Sequence, residues 1–270
     1  IGNNAAGASF WAKHWGLSSP SNNAGEILRK SGLTLEELED IIRSTYVNGN
    51  TAITILRPQN GPDDCNTDAF TFSPVLTSAV ADRLMKFERL RRISKLSISE
   101  LDKAIASFGN VINEEFIIKL VSAIYLKDKI SKTFIEVLIF CSDRPFFDNI
   151  KKSWTEYYTD KYRNSSFSDA VKTFFDPVTL DSSSNTKKIK SLIPDEKAII
   201  CFALKIDEQE LDAIVNCNFP SSNPVLTTGV VSDLEAYCIL ADVLNLSIKE
   251  LISFISMSGN PFSANPVNPA

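Results

Sequence analysis

Histidine occurs once in these 270 residues, at His14, and that scarcity excludes much enzymology. HExxH zinc sites, His-rich metal clusters and carboxylate–histidine–zinc arrangements all need more imidazole than the chain supplies. A Ser-His-Asp or Cys-His mechanism would have to use His14, which lies in FWAKHW and reads as a partly buried packing residue. The five cysteines (Cys65, Cys141, Cys201, Cys217, Cys238) contain no CxxC pair. Cys141, Cys201 and Cys238 sit inside apolar runs, where a thiol behaves as a small hydrophobe. A disulfide framework is not indicated, although the sequence leaves a Cys201–Cys217 bridge open.

Glycine and proline are also sparse, with ten and twelve residues or about 8% of the chain, against roughly 12% on average. Whole-chain disorder and a turn-rich β-sandwich are therefore disfavoured. Neither GxGxxG, GxxxxGK[ST] nor GxSxG occurs, so no phosphate-cradling loop or nucleophile elbow is present and no cofactor is expected. The longest apolar run, Ala198 to Leu204, is far shorter than the ~18 residues of a membrane helix. With 28 Lys+Arg against 33 Asp+Glu, the net charge of −5 exerts no general pull on nucleic acid or anionic lipid. The start at Ile1 carries no signal-peptide pattern. It and the Asn/Pro-rich end NPFSANPVNPA suggest an excised piece of a longer polypeptide, with 264–270 as linker.

What is present is helical patterning over 44% hydrophobic and 23% charged residues, ample for a core. Val80, Leu84, Phe87 and Leu90 make one apolar stripe. Phe116, Ile117, Leu120, Val121 and Ile124 repeat it behind an N-cap at Asn113. Phe134, Val137, Leu138 and Cys141 form a third.

Four local motifs recur: Leu33-Thr34…Glu37-Leu38, Leu96-Ser97…Glu100-Leu101, Ile206-Asp207…Glu210-Leu211 and Leu246-Ser247…Glu250-Leu251. Each sets an apolar residue before a capping side chain, with Glu three residues later, which is a capping box. A helical stretch precedes each, so each unit reads as an αα-hairpin. The unequal cap spacing makes this a recurring device and not a fixed-period solenoid. The fold class is all-α (mainly α): an irregular array of αα-hairpins in one body over 1–270, with a soft division near 145–190. Thr51–Leu56 and 218–229 read as a short strand or extended connections. Short helices and a flexible loop near 181–188 are expected within 143–194.

Few residues suggest chemistry. Asp63-Asp64 sits in a turn, where Asp bonds its own backbone. The basic run Arg83–Lys95 reads as a solvated or salt-bridged helix face. Its Arg89, Arg91 and Arg92, with the aromatics Trp154, Tyr157 and Tyr158, are the candidate partner-binding residues, because arginine and aromatics dominate interface hot spots. No catalytic, cofactor or metal residue is assigned, and the chemistry alone points to a non-catalytic scaffold or interaction module.

With the hairpins in hand, four stretches resemble a known family in its order: KSGLTLEELEDIIRSTYVN (30–48), CNTDAFTFSPVLTSAVADRLMKFERLRRISKLSISELDKAI (65–105), INEEFIIKLVSAIYLKDKIS (112–131) and YCILADVLNLSIKELISFISMSGNPFS (237–263). The chain is similar to the A subunit (TcA) of bacterial toxin complex (Tc) insecticidal toxins, in the helical region shared with Salmonella plasmid virulence-related proteins. It departs where the family has LGW (here Ile93-Ser-Lys95) and SLYxRLFLN. The resemblance implies a piece of the α-helical shell around the translocation channel of a pore-forming, pentameric subunit, secreted or at the bacterial cell surface. Its partners would be other protomers and other domains of its own chain, with no nucleic acid and no direct membrane insertion by these residues. A host receptor- or partner-binding helical module of a virulence factor is the second reading. No catalytic residues are implied, and the isolated chain is expected to be a monomer.

Overall fold

The computed structural model describes residues 4–17, 21–49, 52–57, 67–141 and 161–258, without the side chains of 4–9, 140 and 141. The architecture is mainly α with one minimal sheet. Its contacts gather into two compact units, Ile1–Ile117 and Ile118–Ala270. The break lies upstream of the soft division expected near 145–190.

In the first unit the helices are α1 (Asn4–Trp15), α2 (Ala24–Ser31), α3 (Leu35–Arg43), α4 (Thr45–Asn48), α5 (Ser78–Ser94) and α6 (Ile98–Ser107). Strand β1 (Thr54–Leu56) pairs antiparallel with β2 (Thr71–Ser73), Ile55 facing Phe72, so the β-branched run does form the short strand it suggested. Helix α7 (Glu114–Ile130) carries the chain across the break. The second unit holds α8 (Phe134–Cys141), α9 (Asp169–Phe174), α10 (Pro177–Leu180), α11 (Pro194–Leu204), α12 (Glu208–Asn218), α13 (Thr228–Leu244) and α14 (Ile248–Ser258).

One connector explains how these helices turn. Gly32, Lys95, Lys205 and Asn245 each end a helix in the left-handed conformation, with φ of 69°, 57°, 58° and 53°. One apolar residue follows, then the capping residue of the next helix. At Asn245 the chain closes as a Schellman motif, in which the Leu246 N–H donates to Ala241 O (2.9 Å) and the Asn245 N–H to Asp242 O (3.1 Å). Lys95, Lys205 and Asn245 carry a Cβ and hold a backbone that costs roughly 1 kcal/mol each, so the cap behind them must return that energy.

It does. At Ser97 the hydroxyl accepts from the Glu100 N–H (3.2 Å) and Glu100 accepts from the Ser97 N–H (2.9 Å). The same reciprocal pair forms at Thr34–Glu37, Asp207–Glu210 and Ser247–Glu250. A fifth box, Thr133–Glu136, follows Ser131 at φ 54°. Its connector carries Lys132 where the others carry an apolar residue, which is why the motif hid it.

Behind each box the first core residue is fully buried: Leu38, Leu101, Leu211 and Leu251 all lie at 1% exposure or less. Val80, Leu84 and Phe87 are buried as expected, and Leu90 half so. Asn113 caps α7 through the Phe116 N–H at 2.8 Å. The stripe on α7 needs correction, however. Phe116, Leu120 and Ala123 are its buried residues, whereas Ile117 and Val121 are exposed, together with Ile118 and Tyr125. The helix therefore buries the narrow 116–120–123 seam, and its second apolar face is exposed.

In the loop at 181–188, polar side chains bond to neighbouring backbone and to the start of α13. The Asn185 amide donates to Leu180 O and Leu226 O, both at 2.7 Å. Asp181 accepts from the Thr228 N–H (2.9 Å) and hydroxyl (2.6 Å) at the start of α13. The passage 218–229 is extended where Val225 bridges Lys188.

Candidate functional site

Helix α5 carries the basic run, and its cations are largely spent inside the first unit. Arg83 donates through Nε (3.1 Å) and Nη2 (2.9 Å) to Val47 O at the end of α4. Lys86 pairs with Asp82 one turn back at 2.7 Å. Glu88, only 6% exposed, faces inward and accepts from Arg91 Nε (2.7 Å) and Arg92 Nε (2.5 Å). These partners stand three and four residues ahead, where a helix places them side by side. Bonding to Glu88 holds the Arg91 guanidinium more firmly protonated than usual. Arg91 also reaches Glu37 of the first capping box (3.3 Å), and Arg92 donates to Ser31 O at the end of α2. Of the three candidate arginines, two are thus bound internally. Arg89 is exposed and free of any ion-pair partner among the described residues. Trp154, Tyr157 and Tyr158 lie outside the described residues, as do Cys65 and Asp63-Asp64.

Arg89 and Arg92 help to line a cleft of about 180 Å³ with His14, Trp15, Lys30 and Glu88. His14 is half-buried, its ring 5.0 Å from that of Phe10, in keeping with a packing role. Trp15 and Lys30 join this cleft without a signal in the sequence, because α1 and α2 carry no spacing that ties them to α5.

A second polar junction joins two of the motif stretches. Asp102 on α6, 6% exposed, accepts from the backbone N–H groups of Thr45 (3.0 Å) and Tyr46 (3.1 Å), capping the short α4 from another helix. Burial pushes its carboxyl above the usual value, and the two backbone bonds and Lys103 pull the other way. Tyr46 stacks on Phe87 with ring centroids 6.4 Å apart, and Asn48 accepts from the Ile53 N–H at 3.1 Å. TYVN and ELDKAI are therefore two halves of one structural joint.

In the second unit a groove of about 480 Å³ contains Lys132, Lys161, Glu235, Cys238 and Asp242. Glu235, 3% exposed, accepts from the Tyr162 hydroxyl at 2.8 Å and from Lys161. Burial pushes the Cys238 thiol up to about 12, which removes the thiolate that nucleophilic chemistry requires. Cys201, Cys217 and Cys238 are free thiols, so Cys201 and Cys217 form no bridge. Among the described residues no group of three His, Cys, Asp or Glu could hold a metal ion, and no helix is long and apolar enough to cross a membrane. Comparison with known proteins finds no matching family model, no matching curated protein and no matching solved structure.

Proposed function

We propose that this chain is a non-catalytic structural and interaction module, of the kind that forms the α-helical shell of a Tc-like A subunit. The observation carrying this reading is the Asp102–Thr45/Tyr46 joint, with Arg83 on Val47 beside it. It spends the polar residues of the first two family-like stretches on holding helices together. Shell segments of this kind bear load and meet neighbours; they need rigid hairpins and no reactive centre. In this reading the chain works as part of a secreted or surface-exposed toxin subunit, its partners being other protomers and other domains of the same polypeptide.

The gene on either side of this sequence tests it. A reading frame long enough to add a channel and receptor-binding domains supports the shell assignment, and a chain of ordinary length removes it. The second reading, a receptor- or partner-binding module, is favoured by the exposed apolar face of α7, since large apolar residues clustered on one face mark contact surfaces. Replacing Trp154, Tyr157 and Tyr158 while measuring host-cell binding separates the two. Loss of binding favours the second reading, and unchanged binding counts against it.

A further inference from the structure

The cleft between α1, α2 and α5 gathers positive charge that the fold does not use. Glu37, Glu88, Arg91 and Arg92 form a self-contained set in which two carboxylates balance two guanidiniums. Lys30 and Arg89 remain in the cleft wall, and neither has an ion-pair partner among the described residues. Lys30 Nζ would stand 3.4 Å from a Cβ at Gly16, so the ammonium rests against the chain just past α1. Two surplus cations on one small concavity repel one another, an arrangement that a bound anion would relieve.

A second observation points the same way. Trp15, 7% exposed, forms part of this wall, and its indole Nε1 is buried with no acceptor among the described residues. A buried donor left unpaired costs about 1–3 kcal/mol. Apart from the His14 imidazole, the polar functions of this wall that have no internal partner among the described residues are donors or cations: the buried indole N–H, the Lys30 ammonium and the Arg89 guanidinium. Met85 adds an apolar wall beside the indole ring.

We propose that this cleft is a binding site for a dianionic phosphate group, carried by a small organic molecule or present as orthophosphate. A dianion matches the surplus of two positive charges, which a single carboxylate would leave half-compensated. Its oxygens would accept from Arg89 in the two-pronged manner of guanidinium–phosphate pairs, from Lys30 as a point charge, and from Trp15 Nε1. The site is independent of the shell assignment and would stand or fall without it.

The test follows the Trp15 indole N–H resonance of the ¹⁵N-labelled 270-residue chain during titration at constant ionic strength. Inorganic phosphate, phenyl phosphate and acetate serve as probes. The expected result is a saturable downfield shift with both phosphates and a far weaker response to acetate. A lower midpoint for phenyl phosphate than for orthophosphate assigns an organic phosphate, and equal midpoints assign orthophosphate. Lys30→Gln and Arg89→Gln should each weaken binding about tenfold, the size expected for losing one charged hydrogen bond. Lys86→Gln, which removes a cation paired elsewhere on α5, should leave the midpoint unchanged. Trp15→Phe keeps the ring and deletes the donor, so phosphate affinity measured by calorimetry should fall. Absence of a shift, a linear response shared with acetate, or indifference to Lys30→Gln and Arg89→Gln would overturn the proposal.

Discussion

Glu88 in the first unit and Glu235 in the second are both buried carboxylates, yet they are compensated over opposite ranges of chain. Glu88 takes its cations from three and four residues ahead on its own helix, so its partners arrive as soon as α5 forms. Glu235 on α13 depends on Lys161 and Tyr162, more than seventy residues earlier. A buried charge with local partners burdens only its helix. One with remote partners ties its compensation to tertiary docking, because an isolated buried carboxylate is strongly disfavoured. Glu88 thus uses its cations mainly along its own helix, whereas Glu235 uses them to hold a distant segment against α13.

The sharpest way to break that contrast is to show that the units already differ in their apolar footing. Leu101 and Leu251 occupy the same position after their capping boxes, and both are fully buried. Each truncation to alanine should cost about 2–5 kcal/mol in urea unfolding. A value below 1 kcal/mol for one alone would place the difference in packing and not in charge. Asp102→Ala comes next, at about 2–3 kcal/mol, since two backbone donors lose a charged acceptor. Its particular signature is faster hydrogen exchange at the Thr45 and Tyr46 amides, while the core of α6 stays protected.

The buried carboxylates themselves follow. Tyr162→Phe removes a hydroxyl bonded to Glu235 inside a 1%-exposed ring and should cost about 1.5–3 kcal/mol. Glu88→Ala should cost about 1 kcal/mol or less, because the Arg92 side chain is 56% exposed and rehydrates, while Arg91 keeps Glu37. Equal losses in the two variants, measured by the same urea titration, would erase the distinction between local and remote compensation.

These pairs also show what could be read from the residues in order. The capping boxes are contiguous four-residue patterns whose partners are fixed by helix geometry, so all four were visible, and the box at Thr133 was missed only for its Lys132. The Glu88–Arg91–Arg92 cluster obeys the same spacing, although nothing in the basic run itself marks Glu88 as its inward-facing centre. Asp102 carries no local sign that it caps a helix 56 residues earlier. The cleft lined by Trp15, Lys30 and Arg89 is likewise a product of three helices meeting, which periodicity does not encode. On α7 the apolar count exceeded what one seam can bury, and composition could not say which of two faces would win.

The smallest effects test the connector that both units share. Ser97→Ala and Ser247→Ala should each cost about 1 kcal/mol, since each deletes one half of a capping box. The other half is pH-sensitive in a defined direction. The Ser247 N–H and hydroxyl both donate to Glu250, holding its carboxyl below the ordinary glutamate value. A depressed native value means that the unfolded chain binds the proton first, so the contribution is complete above the ordinary pKa of about 4.3. It fades as pH falls through the lowered native value. Following the Glu250 carboxyl carbon by NMR should therefore show titration below that of an unstructured glutamate. Ser247→Ala should move the midpoint back toward the ordinary value by removing one of the two donors, the backbone N–H keeping part of the shift. If the midpoint does not move, Glu250 is held by the backbone alone, and the serine shared by the Ser97 and Ser247 connectors acts only through the N–H groups it accepts.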